Sequence, residues 1–191
     1  MSRMYGKTYS DSANKSDADA VLQEQKGKRK GKKMIKDSGS RTEFESGAVR
    51  DIQKGKGRCD LLPFEVIMRL YWDFNDNAAY VCACLSDFVD TGSIENLKTA
   101  LEKFSAISGL TLETMLLEVS IHFEEGADKY GENNWQKGLP AKCYINSAAR
   151  HFLKYLRGDS DERHDRAFVW NILCCMWTCI LYPELNDYKK E

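Results

Sequence analysis

Proline is scarce in this chain: Pro63, Pro140 and Pro183 are the three, and the long intervals between them are free to form helices. The seven cysteines (Cys59, Cys82, Cys84, Cys143, Cys174, Cys175, Cys179) include no CxxC pair. Their odd count, and the apolar helical pattern around several of them, predict reduced thiols in a cytoplasmic protein rather than disulfides or a zinc site. A Walker A loop is absent, because no GxxxxGK is followed by Ser or Thr. No apolar segment precedes a cleavage site near the N-terminus, so no secretory signal is expected. The longest apolar run, Ala167 to Tyr182, is too short for a membrane span and contains Asn171, and it reads as a buried helix. No repeat period is visible.

What remains is a chain of 191 residues, 42% hydrophobic, long enough for one domain with a proper core. The net charge of -1 hides an uneven distribution. Residues 1–40 are polar, poor in aliphatics and without periodicity, and carry the run QKGKRKGKK. This composition predicts a disordered basic arm, either simply solvated or touching phosphates non-specifically. The domain proper is expected from about residue 41 onward.

Next, Gly47, Gly55 and Gly57 alternate with Arg50, Lys54, Lys56 and Arg58. Such a loop can bring backbone N–H groups and cations close to phosphate oxygens, or serve only as a charged linker. A helix follows from Asp60-Leu61-Leu62-Pro63, with Phe64, Ile67, Met68 and Tyr71 at helical intervals. Two more are expected at Ala78–Val89 and Ser93–Ile107, with Ser93 as N-cap. Another spans about Thr111 to Tyr130, where Leu112, Met115, Leu116, Val119, Phe123 and Tyr130 form an apolar stripe and Leu117 and Ile121 predict a second buried side. Further helices are read at Ala141 to about Arg157, ended by Gly158, and at about Glu162 to Leu181, capped by DSDE.

The stretch His122 to Gly138, HFEEGADKYGENNWQKG, concentrates the chemistry. Glu124, Glu125 and Asp128 crowd the end of one helix, while Asp161 and Glu162 precede another, so together they could hold a hard cation. The phase leaves open whether Glu124 or Glu125 faces a site. His151 sits at a core boundary, and Asn171, inside an apolar helix, needs a hydrogen-bonding partner. His164 shares the face of Asn171, so the two could serve one polar pocket.

SGAVRDIQKGKGRCDLLP, HFEEGADKYGENNWQKG and SAARHFLKYLRGDSDERHDRAFVWN together resemble the phage-associated dATP/dGTP diphosphohydrolase family, a branch similar to the MazG-like all-α nucleotide pyrophosphohydrolases. The shared blocks cover most of 46–72 and 112–182, leaving 73–110 as a helical insertion. The resemblance implies an all-α helical bundle. It also implies hydrolysis of a purine deoxynucleoside triphosphate to monophosphate and pyrophosphate with Mg²⁺. Glu124-Glu125-x-x-Asp128 resembles the EExxE element, with Asp for the last Glu, and Glu162-x-x-Asp165 resembles ExxD across a longer gap than usual. The branch's own pattern emphasises Glu124, Lys129, Tyr130, Asn134, Trp135, Arg150, His151, Asp161, Glu162, His164 and Asn171, and leaves Asp165 incidental.

On this reading metal falls to Glu124, Glu125, Asp128, Asp161 and Glu162, and catalysis to Glu124, Lys129, His151 and His164. Substrate binding falls to Arg50, Lys56, Arg58, Lys129, Asn134, Trp135, Arg150 and Asn171. Trp135 would stack on a base or anchor its turn. A dimer or tetramer is implied, with no membrane or nucleic-acid partner. The competing expectation is a helical nucleic-acid- or protein-binding module using the basic arm and loop, and a third is a nucleotide-binding scaffold without turnover.

Overall fold

The computed structural model describes residues 39–53, 56–72 and 75–188. The basic arm and Lys54 and Gly55 of the Gly-rich loop lie outside the described residues. The architecture is all-α, with helices α1 (Phe64–Tyr71), α2 (Asp76–Thr91), α3 (Ile94–Ser108), α4 (Leu112–Tyr130), α5 (Ala141–Arg157) and α6 (His164–Leu181). A two-stranded antiparallel hairpin, β1 (Arg41–Glu43) and β2 (Val49–Asp51), precedes them. Among the described residues, no single helix is long and apolar enough to cross a membrane.

Helix α6 lies at the centre, packed against α5, α4 and α3, while α2 packs on α1 and α3. Its position follows from its sequence. Ala167, Phe168, Val169, Asn171, Ile172, Cys174, Cys175 and Thr178 are all buried, which leaves no wholly polar face. Helix α5 is amphipathic instead, burying Ala141, Tyr144, Ile145, Ala148, Ala149 and Phe152 at intervals of three and four residues. Phe104 of α3 joins these helices, with ring centroids 4.5 Å from Phe168, 6.3 Å from Phe152 and 5.1 Å from Tyr155. All seven cysteines are free thiols.

Several local expectations change. Asn75 accepts a hydrogen bond from the Ala78 amide (3.0 Å), so α2 begins at Asp76 rather than Ala78. The Ser93 hydroxyl makes no cap bond; Thr91 Oγ1 instead accepts from the Ser93 amide and the Asn96 side chain, both at 3.2 Å. DSDE does not cap α6, because Asp159 turns to Arg157 and Asp161 to Lys154 and His164. On the expected second side of α4, Leu117 is 73% exposed and Ile121 half-buried; of the expected stripe, Met115 and Val119 are buried but Leu112 and Leu116 are exposed.

The hairpin pairs Arg41 with Asp51, Thr42 with Arg50 and Glu43 with Val49. Three-residue strands carry too little local pattern to announce themselves and do not persist alone. They are held by the rest of the chain. The Asn134 side chain accepts from the Val49 amide (3.0 Å) and donates to the Val49 carbonyl (2.9 Å). Ser46 Oγ donates to the Gly138 carbonyl at 2.7 Å. Gly138 has φ +74°, a conformation that favours glycine, and a Cβ there would press on Leu185 Cδ1 at 2.8 Å.

Phe104→Ala removes the ring shared by α3, α5 and α6, and is expected to lower unfolding free energy by roughly 3–5 kcal/mol. Urea unfolding measures this directly; an unchanged midpoint would show that the cluster is not the core.

Candidate active site

A cavity of about 670 Å³ opens between the hairpin, the C-terminal half of α4, the turn after it, and α5 and α6. That volume suits a small-molecule ligand. Its wall contains the cations Arg50, Lys56, Arg150 and Lys154, and the carboxylates Asp51, Glu124, Glu132, Asp161 and Glu162. Tyr144, Trp135 and Trp170 supply aromatic surface.

Strand β2 sends Arg50 into this cleft. Its guanidinium donates to Asn171 Oδ1 at 2.6 Å and to the Cys143 carbonyl at 3.4 Å, and lies 5.7 Å from the ring centroids of both Tyr144 and Trp170. Asn171 also donates to the Ala167 carbonyl at 2.7 Å, so its buried amide is satisfied on both sides.

Asp51 is buried beside Arg50 and gathers cations. Lys129 Nζ donates to it at 2.9 Å, Tyr130 Oη at 2.8 Å and Arg41 at 3.3 Å, and Lys56 Nζ lies 4.0 Å away. Burial pushes the Asp51 carboxyl up, but the bonds from Lys129 and Tyr130 outweigh it and hold its pKa below the ordinary value. Burial, with Arg150, Arg50 and Lys129 close by, lowers the Lys56 pKa against the pull of Asp51.

Arg150 donates to Ser147 Oγ (3.1 Å) and Gln53 Oε1 (3.3 Å), whereas its Nη1 is buried with no hydrogen-bond partner among the described residues. Burial, and then the neighbouring Arg50 cation, push its pKa down.

Between α5 and the start of α6, His151 Nδ1 and His164 Nδ1 are 3.0 Å apart. Glu162 Oε1 lies 3.5 Å from the first and 3.6 Å from the second. Asp161 accepts from His164 Nε2 at 2.8 Å and from Lys154 at 3.0 Å. Burial, with His164 and Arg150 nearby, drives the His151 pKa well below its ordinary value and keeps the ring neutral. His122, also in the wall, is pushed down to about 4 by burial and then by Arg166 and Arg50.

The sequence candidates thus divide. Arg50, Lys56, Glu124, Asn134, Trp135, Arg150, His151, Asp161, Glu162 and Asn171 line the cleft. His164 stands behind it, bonded to His151 rather than to Asn171. Lys129 is tied to Asp51. Both ends of the Asn134 amide hold Val49. Trp135 packs edge-on against Phe123 and Trp177, at 5.2 and 5.0 Å, and so anchors its turn. Arg58 pairs with Asp60 and does not reach the cleft, and Asp128 is exposed outside it. Glu125 is not part of the lining, and its Oε1 is buried without a hydrogen-bond partner among the described residues. Asp165 is held by Arg163 at 2.7 Å.

Sequence reasoning missed Asp51, Gln53, His122, Tyr144, Ser147 and Trp170. An acidic residue directly after Arg50 in a basic stretch was the available signal for Asp51. The others look like ordinary helix residues until the helices pack.

The fold and the cleft define an all-α protein with one cavity in which cations and carboxylates converge. Residues 97–188 match the family described as dATP/dGTP diphosphohydrolase, N-terminal. Over this span, from within α3 to Tyr188, the chain is similar to that family. The family name is that of a nucleotide diphosphohydrolase. No curated protein and no solved structure matches the chain. The hairpin and the 46–72 block lie outside the matched span.

The His122 shift fixes the sign of a pH dependence. An unfolded histidine titrates near 6.5, and folded His122 at about 4. Between these values the unfolded chain binds more protons, so stability present at neutral pH is lost as pH falls, by up to about 3 kcal/mol. Urea unfolding between pH 7 and 4 should show that decline. His122→Gln should flatten it in part, since neutral His151 contributes in the same direction; an unaltered slope would remove His122 as a cause.

Proposed function

We propose that the protein hydrolyses a purine deoxynucleoside triphosphate, dATP or dGTP, to the monophosphate and pyrophosphate. The observation that carries this reading is the convergence of Arg50, Lys56 and Arg150 with Glu124, Asp161 and Glu162 in one nucleotide-sized cavity. The family match over 97–188 supports it.

The donor set fits a divalent cation such as Mg²⁺. Glu124, Asp161 and Glu162 offer carboxylate oxygens in the cleft wall, and Glu125 has a buried oxygen without a hydrogen-bond partner among the described residues. Glu124 and Glu162 would hold the cation, with Asp161 and Glu125 beside them. When bound, such a cation draws charge from phosphate oxygens and promotes ionisation of a nearby water.

The chain's own residues supply the rest. Water attacks the α-phosphorus, the bond from that phosphorus to the bridging oxygen breaks, and pyrophosphate leaves with the electron pair. Arg50, Lys56 and Arg150 offset the charge of the triphosphate and the charge growing on the leaving group. The partnerless Arg150 Nη1 is suited to a phosphate oxygen. Glu124 accepts the proton from the attacking water. Asp51 keeps Lys56 and Lys129 in place without entering the chemistry. Tyr144 and Trp170 flank Arg50 and limit water around it.

Incubation with each of the four dNTPs and Mg²⁺ should release pyrophosphate and a purine monophosphate. Glu124→Gln and Glu162→Gln should lower turnover by roughly 10²-fold or more; Glu125→Gln, run alongside, reports whether the partnerless oxygen takes part. Turnover of no nucleotide under any metal would sink the proposal.

The reading includes a homo-oligomer. Exposed Leu112, Leu116 and Leu117 on α4 form an apolar face suited to a second copy. Light scattering should give a dimer or tetramer, and Leu116→Glu with Leu117→Glu should yield monomers; an unchanged mass would place any interface elsewhere.

A further inference from the structure

We propose that His151, Glu162 and His164 form a binding site for a tetrahedral first-row transition ion of the Zn²⁺ and Co²⁺ kind, distinguished by its two imidazole ligands from the carboxylate site for magnesium, with which it shares Glu162. The proposal rests on this cluster and not on the phosphohydrolase reading.

His151 Nδ1, His164 Nδ1 and Glu162 Oε1 make a triangle with sides of 3.0, 3.5 and 3.6 Å. The nearest point equidistant from all three lies in their plane about 2.0 Å from each, and an ion raised ~0.7 Å out of that plane, as a tetrahedron requires, is ~2.1 Å from each, the bond length of such ions to imidazole nitrogen and carboxylate oxygen. Ligands on an Mg²⁺ octahedron at 2.0–2.1 Å are ~2.9 Å apart along an edge. The edge of a Zn²⁺ tetrahedron is ~3.4 Å. The two longer sides match the tetrahedron, and two nitrogens in three ligands suit a borderline ion better than a hard one.

The surrounding bonds prepare these atoms as ligands. Asp161 accepts from His164 Nε2 at 2.8 Å. The proton is therefore on Nε2, and Nδ1 turns a lone pair toward His151. A carboxylate behind a histidine is the usual support for a metal-bound imidazole, fixing both tautomer and ring direction. Two ring nitrogens 3.0 Å apart need a cation or a proton between them. His151 and Glu162 line the cleft, so an ion has a route in, and a water or phosphate oxygen from the cleft would complete its coordination. A second grouping, Asp159 with Asp161 and His164, is less suited because Arg157 and Lys154 already engage the two aspartates.

The test is a titration of the full chain, stripped of metal by a chelator, with Co²⁺ in the absence of nucleotide. One equivalent should bind with the intense visible bands of a tetrahedral site and remain bound in a large excess of Mg²⁺. His151→Gln and Glu162→Gln, with folding followed by circular dichroism, should abolish the bands. Asp161→Ala, whose side chain is 42% exposed, should keep the fold and weaken Co²⁺ binding by about tenfold or more. Absence of tetrahedral bands in the wild type, full-affinity binding in the folded variants, or displacement by Mg²⁺ at comparable concentration would each overturn the site. Since no nucleotide is present, failure here and failure of dNTP turnover are separate results.

Discussion

Asp51 is the constraint around which the cleft is built. Its buried carboxylate holds Lys129 and Tyr130 at the end of α4, Arg41 on the partner strand, and, at longer range, Lys56. Neighbouring strand residues project to opposite sides, so Asp51 reaches α4 while Arg50 reaches α5 and α6 through Cys143 and Asn171. One short strand therefore ties three helices together. Without that acid, the cations on the wall would repel one another and the hairpin would lose its attachment to the end of α4, keeping those through Arg50, Asn134 and Ser46.

The cleft brings two kinds of charged group into one wall. Arg50, Lys56 and Arg150 cluster where burial weakens solvation, and the lowered pKa values of Lys56 and Arg150 express that cost. An anionic ligand would relieve it, because a phosphate oxygen satisfies both the charge and the partnerless Arg150 Nη1. Near these cations, burial keeps the His151 ring uncharged beside Glu162.

Burial also explains why the site's histidines differ from surface histidines. His122, His151 and His164 occupy positions that are inconspicuous along their helices, yet each meets a different surrounding: Trp170 for His122, His164 for His151, and Asp161 for His164. Proximity of rings and carboxylates, not sequence spacing, sets which of them is merely packed and which presents a lone pair.

The helices were legible because each carries its own periodic signal. α5 was read at its observed bounds, Ala141–Arg157, from an apolar face and a terminal glycine, and α6 from its continuous apolar run. Glu124, Arg150, His151, Asp161 and Glu162 were likewise visible as charged or ring residues at the ends and edges of those helices. The exposure of Leu117, the hairpin, and the caps at Asn75 and Thr91 were not, since a local pattern states that a residue is apolar or polar but not what will cover it or bond to it. Sequence alone determined the all-α class, the helix order and the residue types available for chemistry, because these depend on interactions a few positions apart. Only the tertiary structure decided that Asp51 gathers cations from the end of α4, that Arg58 is left aside, and that His151 and His164 face one another across two helices. Those contacts join residues far apart in the chain, and nothing in their local sequence encodes the distance between them.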